Sequence, residues 1–400
     1  MQRAALDQMP AFAYSFRMLA EFVGLASVAS WIDLALFRGH FWRIDEAFRE
    51  HVGCDSAPDV LVLIPARDEA SCIANAVTSL LTQEYPGSLR IVVIDDNSSD
   101  STAEVARNAA DALHAGERLR VASANAPPLG WTGKVWALAE GLRQAEPIAA
   151  DYLLLTDADI VHAPGTVGDL VARVQSGNFD LVSLMVKLRC KSAAERAFIP
   201  AFLFFFFMLY PPAWVADTRR RTAAAAGGCM LIRTPALDGI GGIASIRGEL
   251  IDDCALAKRV KENGGRVFLG ASSHTHSVRA YQDMSHVEQM ISRTAFTQLR
   301  YSVALLIGTL LAMTVVFIAP PLLLFSGTSA FWMGAVAWLL MSVCYLPALR
   351  LYKLSPLRAV TLPALSLFYL GATLHSALLH WRGQGGVWKG RVQDPSLRDL

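Results

Sequence analysis

The chain has 400 residues, 53% of them hydrophobic, and a formal net charge of +1 at neutral pH. That apolar content exceeds the norm for a soluble domain of this size, so part of the chain is expected in a bilayer. The balanced charge argues against a nucleic-acid partner, which needs a clustered surplus of lysine and arginine.

The first apolar stretch, Phe12 to Phe37, is interrupted by Arg17, Glu21 and Asp33. It reads as an N-terminal anchor within residues 1–40, either crossing the membrane or lying on it. Arg38, Arg43 and Arg49 follow it and point to a cytoplasmic location for what comes next, residues 41–300. Six cysteines (Cys54, Cys72, Cys190, Cys229, Cys254 and Cys344) show no paired short spacing. Neither a zinc site nor a disulfide framework is expected from them, and a reducing cytoplasm suits them.

Val60 to Pro65 (VLVLIP) reads as a buried strand ended by proline, with Arg67, Asp68 and Glu69 just beyond. Cys72 to Leu81 has helical spacing, and Arg90 to Ile94 repeats the strand signal before the turn-rich string Asp95 to Asp100. Ser101 and Glu104 predict a capping box for the next helix. Leu119 to Ser123 is a third strand, Lys134 to Gln144 a helix, and Tyr152 to Thr156 a fourth strand that stops at Asp157. Strands alternating with helices predict an α/β domain with a largely parallel sheet, whose ligands gather at the carboxyl ends of strands. No GxGxxG opens the first helix, and Gly130-Trp-Thr-Gly-Lys134 lacks P-loop spacing.

Asp157-Ala158-Asp159 places two carboxylates at a strand end, where both reach one cation whose remaining ligands are diphosphate oxygens of a nucleotide substrate. Mg²⁺ or Mn²⁺ suits such a hard oxygen site. Asp96 is placed to accept hydrogen bonds from a base or ribose, and Lys134 to meet a phosphate. Phe198 to Val215 is apolar enough to suggest a span. A crossing there would put Asp157 and Asp253 on opposite sides of the bilayer, so an interfacial segment over 198–221 is preferred, with a buried core helix as the alternative. Arg219, Arg220 and Arg221 then face anionic headgroups.

Asp252 and Asp253 open a helix running to Asn263, either as caps or with one of them as general base for an acceptor hydroxyl. His274 and His276 alternate along a strand, and His276 is a candidate third metal ligand. Gln298, Arg300 and Tyr301 stand where the domain meets the membrane, to hold the diphosphate and the acceptor or to anchor at the interface. Within residues 301–381, Val303–Phe325, Phe331–Leu349 and Val360–Leu379 approach spanning length. Arg350, Lys353 and Arg358 mark a cytoplasmic loop, and the side of the 382–400 tail, with Arg382, Lys389, Arg391 and Arg398, stays open.

The order IPARDEA, VVIDDNSSD, GWTGK, TDAD, an acidic pair opening a helix, and a Gln/Arg/aromatic segment resembles inverting family 2 glycosyltransferases with a GT-A fold. The likeness runs over roughly residues 58–301. It implies transfer of a sugar from a nucleotide diphosphate donor, with Pro65, Arg67 and Glu69 along the nucleotide pocket and Asp96 as the base-binding aspartate. It further implies Asp157 near ribose and metal, Asp159 as the main metal ligand and Asp253 as catalytic base. Two departures stand out. The usual Glu-Asp pair is Asp252-Asp253, and the usual QxxRW is Gln298-Leu-Arg300-Tyr301, which argues against a processive polymer synthase.

PPLGWTGKVWAL, RTAAAAGGCMLIR, RGELIDDCALAKRVK and RTAFTQLRYS are similar to the hopene-associated glycosyltransferases of bacterial hopanoid biosynthesis. That kinship implies a bacterial inner-membrane, multi-pass enzyme with a UDP-sugar donor and a membrane lipid acceptor such as a hopanoid. Two alternatives stand beside it: transfer to a polyprenyl phosphate, and a non-catalytic membrane-bound nucleotide-sugar binding subunit.

Overall fold

The computed structural model describes residues 11–44, 47, 57–145 and 150–386. Arg49, Cys54, Lys389, Arg391 and Arg398 lie outside the described residues. The described chain divides into two compact units, one of residues 47, 57–145, 150–191, 212–282 and 379–386, the other of 11–44, 192–211 and 283–378.

The first unit is built on an eight-stranded mixed sheet in the order β3-β2-β1-β4-β7-β6-β8-β5. Its strands are β1 (Val60–Ala66), β2 (Leu89–Asp95), β3 (Leu119–Ser123), β4 (Tyr152–Thr156), β5 (Ile160–Val161), β6 (Leu181–Lys187), β7 (Cys229–Arg233) and β8 (Val267–Ser277). The first four are mutually parallel. β7 runs antiparallel between β4 and β6, while β8 is parallel to β6. All seven residues of β1 are buried, as a central strand flanked by β2 and β4 requires. That strand continues one residue past Pro65, which sits in register with Ile94.

The helices that concern the site are α1 (Ile73–Leu81), α2 (Thr102–Asp111), α3 (Gly133–Ala145), α4 (Thr166–Gly177) and α5 (Asp252–Glu262). The apolar faces of α1, α2 and α4 close one core with the sheet, in which Val62, Ile64, Ile73, Val77, Leu80, Val93, Leu154 and Leu231 are buried. Parallel strands covered by helices aim β1, β2 and β4 the same way, so their polar ends converge at one edge.

The capping box expected from Ser101 and Glu104 does not form: Ser101 makes no side-chain cap to α2. Asp100 takes the role instead. Its carboxylate accepts from the Thr102 N–H at 3.0 Å, from the Thr102 hydroxyl, and from the Ala70 N–H at 3.1 Å. An ionised acceptor satisfies N-terminal donors better than a serine hydroxyl, and this one also ties α2 to the loop after β1.

The second unit is helical and apolar. Among the described residues, five helical stretches are by length and composition apolar enough to cross a membrane: Tyr14–Leu36, Ala193–Ala216, Val303–Leu323, Ala330–Leu351 and Pro356–Trp381. The phenylalanine-rich run expected from Phe198 to Val215 is two helices, Ala193–Leu209 and Pro212–Ala216, broken at Tyr210 and Pro211. The first packs with other apolar helices of its unit. Phe198 stacks on Phe368 at 4.0 Å, and Phe205 meets Phe317 at 5.4 Å.

The short second helix and the irregular segment after it are held in the sheet unit by Lys261, whose Nζ donates to the carbonyls of Trp214, Val215 and Thr222. Of the three arginines expected at headgroups, Arg219 pairs with Asp217 at 3.1 Å and Arg220 lies over the Trp214 ring at 4.3 Å.

One apolar helix departs from regular geometry. Val303–Met313 passes through a wide π turn, Thr314–Ile318, into Ala319–Leu323. Pro320 and Pro321 have no N–H to offer the preceding turn, and the π turn lets the Ala319 N–H reach Thr314. The freed carbonyls of Val315 and Val316 accept from the Ser27 hydroxyl and the Trp31 indole N–H, each at 2.7 Å.

Candidate active site

Lys134 stands in the first turn of α3, and its Nζ lies 2.9 Å from Asp157 Oδ1 and 3.3 Å from Asp252 Oδ2. The entry to α3 is fixed to the segment leading into α5, because the Thr132 N–H donates to the Arg247 carbonyl at 2.9 Å. Burial alone would lower the Lys134 pKa, but Asp157 and Asp252 beside it outweigh that and raise it. The ammonium is therefore a permanent charge between two acidic motifs distant in sequence.

Asp253 occupies the first turn of α5. Its Oδ2 accepts from the Gly227 N–H at 2.8 Å and its Oδ1 from the Cys254 N–H at 2.7 Å. Burial, and then repulsion from Asp252, push its pKa up to about 6 against the opposing pull of Lys134 and the two N–H donors. A carboxylate so placed is a stronger base than an ordinary aspartate.

Gly227 makes this packing possible: a Cβ there would lie 3.1 Å from Lys134 Nζ and 3.3 Å from Asp253 Oδ2. Gly227→Ala must therefore move one of those charged groups. A loss of turnover of about 10²-fold is expected, with the melting temperature nearly unchanged, when initial rates and thermal unfolding are compared with wild type.

Asp159 is buried, with 7% of its surface exposed. Its Oδ2 accepts from the Ser277 hydroxyl and lies 3.3 Å from Arg279 Nε, while Arg279 Nη2 donates to Glu69 Oε1 at 2.6 Å. Burial would lower the Arg279 pKa, but Asp159 and Glu69 overcome it and raise it. Arg279 thus ties the loop after β1 to the end of β4. Sequence reasoning missed it, and its one signal was an arginine just past the His274/His276 strand.

Each carboxylate of Asp157-Ala158-Asp159 accordingly carries a side-chain cation, Lys134 or Arg279. The pair has the charge and oxygen chemistry that Mg²⁺ or Mn²⁺ requires. Among the described residues no group of three or more His, Cys, Asp or Glu side chains could hold a metal ion. His276, the candidate third ligand, pairs with Val161 across β5 and β8 and completes no such group. The two aspartates fit as a partial donor set, with diphosphate oxygens supplying the remainder.

The residues expected along the nucleotide pocket lie at the ends of β1 and β2. Asp96 is fully buried directly after β2, its Oδ2 is 3.8 Å from Arg67 Nη1, and the same Nη1 donates to the Asp96 carbonyl at 2.8 Å. Pro65 lies within β1 and Glu69 just past it. Gln298, Arg300 and Tyr301 belong to the helical unit. There Gln298 accepts from the Tyr210 hydroxyl at 2.8 Å, and Tyr301 accepts from Thr297 at 3.0 Å.

A family model described as Glycosyltransferase like family 2 matches residues 58–315, more than half of the chain. The chain belongs to that family. It is a family 2 glycosyltransferase, a class that transfers a sugar from a nucleotide donor.

Among solved structures, the mannosyltransferase PcManGT from Pyrobaculum calidifontis in complex with GDP-Man and Mn²⁺ is 19% identical. That match has a TM-score of 0.55 and covers 90% of this chain and 99% of that one. Glucosyl-3-phosphoglycerate synthase from Mycobacterium tuberculosis, with Mn²⁺, uridine diphosphate and phosphoglyceric acid, is 16% identical at TM-score 0.41, covering 65% of this chain and 86% of that one. S. aureus TarS 1–349 in complex with UDP-GlcNAc is 14% identical at TM-score 0.40, covering 83% and 95%. At these identities the likeness is one of fold, and the first carries it: the glycosyltransferase adopts the GT-A architecture anticipated from its sequence.

Proposed function

We propose that the chain transfers a sugar, with inversion, from a nucleotide diphosphate donor to a hydroxyl of a membrane lipid at the cytoplasmic face of a bacterial inner membrane. A UDP-sugar is the first donor to test, and a hopanoid the first lipid. The observation that carries this reading is Asp253, a carboxylate raised to about 6 and aimed by two N–H donors beside the Lys134–Asp157 pair. The five stretches among the described residues that are apolar enough to cross a membrane support a lipid acceptor.

In this reading Asp253 takes the proton from the acceptor hydroxyl as that oxygen attacks the anomeric carbon, and the bond from that carbon to the diphosphate oxygen breaks. The proton ends on the Asp253 carboxyl. Lys134 receives the charge that develops on the departing diphosphate. Asp157 and Asp159 would hold a divalent ion, which, when bound, supplies charge neutralisation for that leaving group. Arg67 and Asp96 brace the end that takes the base and ribose. Chelation with EDTA is expected to stop transfer, and added Mn²⁺ or Mg²⁺ to restore it, as read from labelled product.

The deciding experiment supplies purified protein with labelled UDP-sugars and GDP-sugars, Mn²⁺ or Mg²⁺, and membrane lipid extract. GDP-sugars are included because the Pyrobaculum structure holds GDP-Man. Labelled lipid is expected, and no product from any donor would overturn the proposal. A polyprenyl phosphate acceptor is already ionised and needs no base, so transfer that survives Asp253→Asn would move the assignment there.

A further inference from the structure

His162 is buried and has no part in the chemistry described above, yet its ring is held in one protonation state by its neighbours. The Thr156 hydroxyl lies 2.7 Å from the Gly228 carbonyl oxygen, which only accepts, so the hydroxyl proton points there. His162 Nε2 is 3.0 Å from the same hydroxyl oxygen and must be the donor. The ring is therefore the tautomer protonated on Nε2. His162 Nδ1 is buried and has no hydrogen-bond partner among the described residues. Burial, with His276 nearby, lowers the imidazole pKa to about 3, so the ring stays neutral. A bare buried acceptor is costly, and an apolar side chain would fill the space without that cost. The retained polar function is the Nε2 proton.

That proton feeds a turn that touches Asp253. Thr156 ends β4 immediately before Asp157 and pairs with Cys229 at the start of β7. Ala226, Gly227 and Gly228 form the turn into β7, closed by the Cys229 N–H to the Ala226 carbonyl at 3.2 Å. One buried hydroxyl holds each end. Ser183 accepts from the Ala226 N–H at 2.8 Å, and Thr156 donates to Gly228. Between them the Gly227 N–H holds Asp253 Oδ2 at 2.8 Å.

We propose that His162 and Thr156 are positioning residues, a buried relay that fixes the Ala226–Gly228 turn and through it the orientation of Asp253. This rests on Asp253 being the base, as proposed above.

Four variants of the full chain test it: Thr156→Val and His162→Phe remove the relay, while Thr156→Ser keeps the hydroxyl and His162→Gln keeps a donor near the Nε2 position. With labelled UDP- and GDP-sugars and membrane lipid extract, the first two should lose about 10²-fold in kcat at unchanged donor KM. The two conservative variants should recover near wild-type rates. Hydrogen exchange read by mass spectrometry should show faster exchange at residues 226–228 in Thr156→Val and His162→Phe only.

A loss that falls on donor KM, or wild-type protection of the turn in the folded Thr156→Val protein, would overturn the relay. If the wild type transfers no sugar, the proposed function fails and the exchange data still decide the relay. If Thr156→Val does not fold, the same comparison is made between His162→Phe and His162→Gln.

Discussion

Asp253→Asn is expected to lower turnover by about 10³-fold while leaving nucleotide binding intact, because the amide keeps the shape of the carboxylate and cannot take a proton. The pH profile carries a second mark of the same group. Asp253 works when ionised, and its pKa is raised to about 6 by burial and by Asp252. In wild type, kcat/KM should therefore fall as pH drops through about 6, well above the range of an ordinary aspartate. Asp252→Asn removes the repulsion and should shift that limb to lower pH. The linkage has an opposite sign for stability: a carboxyl whose folded pKa is raised destabilises the fold once ionised. Asp253→Asn should thus unfold at an equal or higher temperature than wild type at neutral pH, separating lost chemistry from lost structure. A variant that loses activity only by melting earlier would argue that Asp253 is merely a helix cap.

Lys134→Met is expected to affect both activity and stability. Its ammonium lies between Asp157 and Asp252 and also pulls on Asp253. Without it, turnover should fall by at least about 10²-fold, the scale for losing one electrostatic stabiliser of a developing charge. The acid limb of kcat/KM should move above its wild-type position, because Lys134 is the largest of the influences that hold the Asp253 pKa down. Removing the lysine from this partly exposed ion pair costs less than the roughly 3 kcal/mol of a fully buried one. Lys134 itself has a raised pKa, so its contribution to wild-type stability holds throughout the neutral range and is lost only in strong alkali. Thermal unfolding of wild type and variant across pH, beside initial rates, checks each part. Equal melting curves and an unmoved limb would show the lysine to be a solvated bystander.

The parts of this site that could be read from sequence are those set by local pattern. VLVLIP, RIVVI and YLLLT are apolar runs that end in polar strings, and a parallel sheet brings such ends to one edge whatever the details of packing. Hence Arg67, Asp96 and Asp157 were placed correctly relative to β1, β2 and β4. What escaped depends on contacts between remote segments. Nothing local to Arg279 shows that it will bridge Glu69 and Asp159. Such pairings follow from β8 and β5 closing the sheet, an order that hydrophobic periodicity does not encode. The misplaced capping box has a local cause: Ser101 and Glu104 match the pattern, but Asp100, one residue earlier, presents a charged acceptor that competes better.

The irregular turn at Thr314–Ile318 reaches back to the start of the chain. In a bilayer no solvent can answer the bare carbonyls of Val315 and Val316, so the helix containing Ser27 and Trp31 serves as their dedicated partner. During synthesis the donors of Ser27 and Trp31 can meet these carbonyls only once Val315 and Val316, 288 and 285 residues later, have followed. The order of assembly is thereby written into two hydrogen bonds, and a generic hydrophobic leader grafted in its place would leave the late helix unsatisfied.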